Sequence, residues 1–162
     1  MLRSIAAVSE NWGIGKNGDL LFSLPTDMKF FRQTTAGGVV IMGRKTLESF
    51  PGGKPLPKRV NIVMTRDPDY APEGAIVVHS PEEAVMEAEK HEGEKFVIGG
   101  GEIYAKMLDK CDECLITKVQ AAPEADTFFP DLDARPDWTL AEEGEEIEEN
   151  GLKFRFIKYI RK

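Results

Sequence analysis

Asp27 stands in a turn that is otherwise largely apolar. It follows Leu24-Pro25 and precedes Met28 and Phe30-Phe31. Two readings fit it. A helix dipole favours an acid in its first turn whatever the protein does. The same acid, desolvated among apolar neighbours, would have a raised pKa and could relay a proton.

Two other places suit anionic groups. Ile41-Met42 runs into Gly43-Arg44-Lys45-Thr46, and Phe96-Val97-Ile98 runs into Gly99-Gly100-Gly101 before a helix from Glu102. Glycines admit a close backbone approach and expose N–H groups at a helix start. At the first place two cations and a hydroxyl converge as well. Such turns often serve only to connect a strand to a helix, yet two of them after neighbouring strands favour a phosphate-rich cofactor. Gly13-Ile14-Gly15-Lys16-Asn17-Gly18 matches the dinucleotide pattern G-x-G-x-x-G. That mechanism needs a helix to begin there. Asp19 to Leu24 lead into Pro25 instead, so the segment is read as a flexible Gly-rich loop. Cys111-Asp112-Glu113-Cys114 lacks the further ligands of a zinc site and precedes a strand, not a helix. No metal is expected. Cys114 is read as a small core hydrophobe and Glu113 as exposed.

The elements that must position these residues are short and alternate. Ile5–Val8 opens as a strand, Val39–Met42, Asn61–Met64, Ala75–Val78 and Phe96–Ile98 are compact apolar runs, and Leu115–Val119 is a further strand. Runs of this kind suit strands covered on both faces of a mainly parallel sheet. Leu152, Phe154 and Phe156 alternate before the pattern slips to Ile157 and Tyr159, which predicts a bulge near Phe156. Ser80-Pro81-Glu82-Glu83 reads as a capping box with Ala84, Val85 and Ala88 buried behind it. Pro25 opens a helix with Met28 and Phe31 facing inward, Arg44 to Phe50 is a short helix stopped by Pro51, and Glu102 to Leu108 is another. The expectation is an α/β three-layer sandwich: about eight strands in a mainly parallel mixed sheet, an antiparallel C-terminal strand and about four helices.

The chain has 162 residues and a formal charge of −7. That length suits one domain, 1–162, with no linker or repeat. The acidic total argues against nucleic-acid and anionic-membrane partners. No apolar run reaches the roughly 20 residues of a membrane span. Met1 to Val8, soon followed by Glu10, is too short for a signal peptide. With two cysteines, the cytoplasm is expected. The charge is uneven. Lys29 to Arg66 holds eight basic residues and the single acid Glu48, so it carries +7 and leaves −14 elsewhere. Such a basic segment is either a solvated face or an anion site. Glu142 to Glu149 holds six carboxylates in eight positions and reads as a solvated hairpin tip.

Over nearly its whole length the sequence resembles dihydrofolate reductase. The residues that carry the likeness are Ile5-Ala6-Ala7, Ile14-Gly15, Leu24-Pro25-Thr26-Asp27-Met28-Lys29-Phe30-Phe31, Val40-Ile41-Met42-Gly43-Arg44-Lys45-Thr46-Leu47-Glu48-Ser49, Leu56-Pro57-Lys58-Arg59-Val60-Asn61, Val97-Ile98-Gly99-Gly100-Gly101-Glu102-Ile103-Tyr104 and Ala125-Asp126-Thr127-Phe128-Phe129-Pro130. The resemblance implies that family's fold, with an adenosine-binding subdomain within roughly 38–106. It implies NADPH-dependent reduction of 7,8-dihydrofolate to tetrahydrofolate, in support of one-carbon metabolism and thymidylate and purine synthesis. Dihydrofolate and antifolate-type inhibitors are the implied ligands, and a monomer the expected state.

By the same resemblance, Asp27 is the lone active-site carboxylate, bonded to the pterin amino and ring N–H groups, and Thr117 supports it. Leu20 and Phe22 complete the catalytic positions. Ile5, Ala6, Met28, Phe31, Ser49, Phe50, Leu56 and Ile98 fall in the folate pocket, and Arg59 takes the glutamate α-carboxylate. Gly43, Arg44, Lys45 and Thr46 fall on the pyrophosphate and 2′-phosphate side, and Thr65 and Arg66 on the adenosine side, with His79 nearby. Gly99, Gly100, Gly101, Glu102, Ile103 and Tyr104 form the turn under the nicotinamide and pyrophosphate, with Ile98 before them. Ala6, Ala7, Ile14 and Leu20 match the nicotinamide pocket and its mobile loop.

One departure is plain. Phe22 stands where the family usually has Trp, with Leu21 where Pro is common, so the indole N–H that holds a water near the pterin is missing. Two other functions share parts of this pattern: the related pyrimidine reductase of riboflavin synthesis, and a non-catalytic dinucleotide-binding module. Asp27 and Arg59 favour folate over the first, and a carboxylate kept in an apolar turn argues against the second.

Overall fold

The computed structural model describes residues 1–162. In chain order the strands and helices are β1 (Leu2–Val8), β2 (Gly13–Lys16), β3 (Asp19–Leu20), α1 (Pro25–Thr35), β4 (Val39–Gly43), α2 (Arg44–Glu48), β5 (Val60–Met64) and β6 (Ile76–Val78). There follow α3 (Pro81–Glu89), β7 (Lys95–Gly99), α4 (Gly101–Met107), β8 (Glu113–Val119), β9 (Thr127–Phe128), β10 (Trp138–Glu143), β11 (Ile147–Glu149) and β12 (Leu152–Arg161). No helix is long and apolar enough to cross a membrane.

The non-alternating apolar runs become the middle of the main sheet, because both of their faces are covered. Its order is β10-β12-β8-β1-β7-β4-β5-β6, with β11 also paired to β12. β8, β1, β7, β4, β5 and β6 run parallel, and β12 is antiparallel to β8. Val39, Ile41, Ile62 and Val97 join Ala84 and Ala88 of α3 and Ile103 and Met107 of α4 in one core. Their neighbours Val40, Met42 and Val63 turn to the other face, against Leu47 of α2. That second face also carries Thr117, which reaches α1. Helices on both faces of a mixed sheet make the expected three layers.

Local punctuation acts largely as anticipated. Ser80 Oγ accepts from Glu83 N over 3.1 Å, and Glu83 reaches back to the N–H of His79, one residue before the cap. The Gly-rich segment is not an irregular loop. It is the β2–β3 hairpin, closed by Asn17-Gly18 at positive φ, and β9 pairs with it in a separate three-stranded sheet. Asn-Gly is the pairing that a type I′ hairpin turn prefers.

The predicted bulge near Phe156 is absent. β12 pairs with β8 in unbroken register from Phe154↔Val119 to Ile160↔Glu113. The slip in its apolar pattern arises because both faces are covered. Phe154 and Phe156 lie together on the α1 side, while Ile157 and Tyr159 join the larger core. The irregularity sits in the partner strand, where β10 shifts register between Leu140 and Glu142. Glu113 is not exposed either: it is half-buried and takes Arg3 Nε at 2.7 Å. Cys111 and Cys114 are free and buried in the larger core, and Ser4 Oγ lies 3.3 Å from Cys111 Sγ.

Candidate active site

Parallel strands bring their C-terminal ends to one edge, and ligands of open α/β sheets bind along that edge. Here it gathers Ala7, Gly43, Thr65, Gly99 and Thr117 with the loops that follow them. β4 and β7 are neighbours, and Met42 pairs with Gly99. The two glycine turns therefore lie side by side. A Cβ on Gly43 would come within 2.9 Å of Ile103 Cγ1, and one on Gly101 within 2.7 Å of Thr127 Cγ2. Neither turn admits a side chain there. The Gly99–Gly100 peptide is cis. The Thr46 side chain stands over both residues, its Oγ1 lying 3.4 Å and 3.7 Å from where their Cβ atoms would be.

Asp27 faces this edge from the first turn of α1. Thr117, which is 3% exposed, donates its hydroxyl to Asp27 Oδ1 over 2.6 Å. Burial pushes the Asp27 carboxyl above its ordinary range; the Thr117 hydroxyl opposes that, and the charge of Glu149 adds to it. Desolvation penalises the ionised form, and a hydrogen bond to that form favours it. The half-buried Phe22 packs with Leu24, Val119 and Phe154 beside this turn. Ile5 and Ala7 share the Thr117 face of the sheet. Ala6 does not: its side chain packs against the opposite core, in register with Ile116. The alternation of β1 thus leaves only the backbone of Ala6 on the site.

Met28 is not turned inward as expected. It is 47% exposed, while Phe31 is half-buried. The two share a helical stripe with Thr35 (i, i+3, i+7). Thr35, the buried end of that stripe, touches Arg59 directly. Arg59 Nε donates to Thr35 Oγ1 over 2.8 Å, and its terminal nitrogens donate to the carbonyls of Pro57 at 2.7 Å and Arg32 at 3.2 Å. No carboxylate pairs with it. Burial and the nearby Arg32 both lower its pKa, so the site is short of negative charge.

The loop that carries Arg59 is held by Asn61, which the sequence places in a strand and in the family likeness without a role of its own. Its buried amide accepts from Leu56 N at 3.0 Å and donates to the carbonyls of Leu56 at 2.9 Å and Arg59 at 3.1 Å. A polar residue inside an apolar strand run was the available signal. Phe50, Leu56 and Ile98 pack together under that loop against Val40, Met42 and Leu47. Ser49 caps the end of α2 through Thr46 O at 2.6 Å.

On the other side of the glycine turns the cations are engaged. Arg44 pairs with Glu48 at 2.8 Å and Asp67 at 3.1 Å, and its guanidinium lies 4.1 Å from the Tyr70 ring centre. Arg66 meets Glu102 at 3.3 Å, and Glu102 also takes Lys106 at 2.8 Å. Lys45 is exposed near Glu102. His79 Nδ1 lies 2.8 Å from Thr65 O. Ile103 and Tyr104 are buried. Tyr104 donates its hydroxyl to Ile5 O over 2.6 Å, so it ties β1 to the second glycine turn. Ile14 is buried in β2, whereas Leu20 stands 82% exposed on β3.

Residues 1–161 match the family model described as dihydrofolate reductase. The chain is 38% identical to the dihydrofolate reductase of Bacillus subtilis (strain 168), covering 100% of this chain and 95% of that one. It is 41% identical to that of Haemophilus influenzae, covering 98% and 97%. Among solved structures it is similar to dihydrofolate reductase from Enterococcus faecalis, described as complexed with NADP(H) and RAB-propyl. There the TM-score is 0.88 at 37% identity, covering 99% of this chain and 96% of that one. The paired glycine turns, the carboxylate on α1 and the whole length of the chain agree on one conclusion: it belongs to the dihydrofolate reductase family.

Proposed function

We propose that the chain reduces 7,8-dihydrofolate to 5,6,7,8-tetrahydrofolate, with hydride transfer to C6 of the pterin and protonation of N5. The observation that carries this reading is Asp27, a half-buried carboxylate with no cation partner, held by Thr117 beside the two glycine turns. The turns fit a dinucleotide: Gly43 and Gly101 leave no room for a Cβ, the Thr46 hydroxyl stands over Gly99 and Gly100, and Arg44, Lys45 and Arg66 lie close by. Bound NADPH supplies the hydride. Gly43 to Thr46 and Gly99 to Gly101 would receive its phosphates, with Arg44 and Thr46 on the 2′-phosphate side and Arg66 on the adenosine side. Thr65 and His79 lie on the adenosine side, within the segment of roughly 38–106.

The chain's own groups then divide the work. Asp27 binds the pterin amino and ring N–H groups and raises the basicity of N5, and a water delivers the proton. The carboxylate and the bound pterin must together hold one proton, so the rate falls as pH rises through the titration of that coupled site, which the raised Asp27 pKa moves upward. Thr117 orients that carboxylate. Arg59, unpaired and fixed by Thr35 and two carbonyls, takes the glutamate α-carboxylate as a fork. Ile5, Phe31, Phe50 and Leu56 supply the apolar walls, and the same pocket admits antifolate-type inhibitors. The hairpin at 13–20 closes over the site and excludes water. A cytoplasmic monomer acting on small molecules completes the reading.

Mixing the protein with NADPH and dihydrofolate and following the loss of reduced-cofactor absorbance tests the reading. Turnover is expected; none would return the pyrimidine reductase and the binding module, neither of which the family match favours.

A further inference from the structure

The first turn of α1 has no cap of its own. Leu24 stands at the cap position and offers no side-chain acceptor. A helix start leaves backbone donors without intrahelical partners, and here a distant residue satisfies one of them. Glu149 Oε1 accepts from Thr26 N over 3.0 Å, and Glu149 Oε2 accepts from Thr26 Oγ1 over 2.5 Å. Thr26 is the residue before Asp27.

Glu149 reaches this place through its turn chemistry. Asn150 and Gly151 both have positive φ and close the β11–β12 hairpin in two residues, which sets Glu149 opposite Leu152. From there its carboxylate, half-buried, meets the start of α1. The acidic run read as a solvated tip therefore ends in a residue that is not solvated in the same way as the others.

We propose that Glu149 is a positioning residue for Asp27, gripping both donors of Thr26 to fix the first turn of α1 and facing Asp27 with a second negative charge. This rests on the reading of Asp27 given above. The other groups around Asp27 do not supply such a charge. β8 presents the Thr117 hydroxyl, and β12 presents Phe154 and Phe156. The Tyr104 phenol of α4 is buried, which pushes its pKa far above the ordinary range and keeps it neutral. Lys29 and Arg32 of α1 are exposed. No cation acts on Asp27, and Glu149 is the one charged group that raises its pKa.

Three variants test this. Glu149→Gln keeps an oxygen acceptor for Thr26 and removes the charge. Glu149→Ala removes both. Asp27→Asn assigns the Asp27 signal and checks the reading beneath. The measurements are a carboxyl carbon-13 NMR titration of Asp27 in the ligand-free protein, and kcat and KM for dihydrofolate against pH. In Glu149→Gln, Asp27 is expected to titrate at lower pH than in the wild type. The falling limb of kcat moves down with it, so kcat above the midpoint drops roughly two- to fivefold, as for one like charge at a partly hydrated site. Glu149→Ala shows the same displacement and a higher KM. Titration curves and kcat profiles that superimpose on the wild type in both variants would overturn the proposal, whatever the melting temperatures do. If Asp27→Asn turns over at the wild-type rate, the reading of Asp27 fails, and the NMR titration alone still decides whether Glu149 acts on it.

Discussion

Thr117 and Asp27 lie 90 positions apart and meet over 2.6 Å, hydroxyl to carboxylate. The threonine is buried on the central strand pair β1–β8, and the acid stands on the first turn of a helix that packs over it. The bond gives the carboxylate a fixed orientation and partly offsets the effect of its burial.

Thr117→Val should separate those two roles. It keeps the volume and removes the donor. Without the hydroxyl, which draws the Asp27 pKa down, the carboxyl titrates higher still, so the falling limb of kcat moves to higher pH. Losing a bond to a charged group also loosens the pterin contact, and KM for dihydrofolate should rise roughly tenfold, about 1.4 kcal/mol. A variant whose kcat profile stays in place would show that Thr117 does not act on Asp27.

Asp27→Asn should trade activity for stability. A carboxylate in the unfolded chain titrates near 3.8, and folding raises that value. Between the two values the folded state binds more protons, so stability falls as pH rises through the window and stays lower above it. Removing the charge should raise the melting temperature at neutral pH, with the gain vanishing towards acid. kcat/KM at neutral pH should fall roughly 100-fold or more and recover in part as solvent protonates the substrate. Wild-type rates would remove Asp27 from the mechanism, and an equal change in melting temperature at both ends of the range would remove the desolvation argument.

What was legible in the sequence was local. Val39 to Gly43 and Val60 to Met64 read as covered strands because adjacent residues are apolar, and the structure covers both faces. Gly43 and Gly99 to Gly101 announced their turns by composition alone. What failed was the inference of facing where two faces are both apolar: Phe156 and Ile157 looked like a slipped register but belong to opposite sides of β12. Periodicity turns Met28 inward with Phe31, yet it is 47% exposed. The contacts of Thr26 with Glu149 and of Asn61 with its loop depend on partners chosen by the folded chain. For Glu149 the partner lies 123 residues away, beyond the reach of any local pattern.

Arg44→Ala should weaken NADPH roughly tenfold and NADH much less, because only NADPH presents a 2′-phosphate for the guanidinium. The contrast is informative because Arg44 is already paired with Glu48 and Asp67 and stacked on Tyr70. A general loss of packing in that loop would affect both cofactors alike. Equal losses in binding titrations would refute the assignment of Arg44 to the 2′-phosphate.

Phe22→Trp tests the departure from the family pattern. Phe22 packs on Leu24, Val119 and Phe154, a cluster next to the first turn of α1. An aromatic ring of either kind can fill that space, but only indole brings an N–H, and a donor beside Asp27 can hold a water for N5. The wild type should therefore be sound in folding and modest in substrate handling. The variant is expected to keep its melting temperature within about 2 °C, as a conservative aromatic exchange at a half-buried site, and to gain roughly two- to fivefold in kcat/KM for dihydrofolate, up to about 1 kcal/mol. Steady-state kinetics on both proteins decide the matter: if kcat and KM are both unchanged, the missing indole N–H has no part in substrate handling.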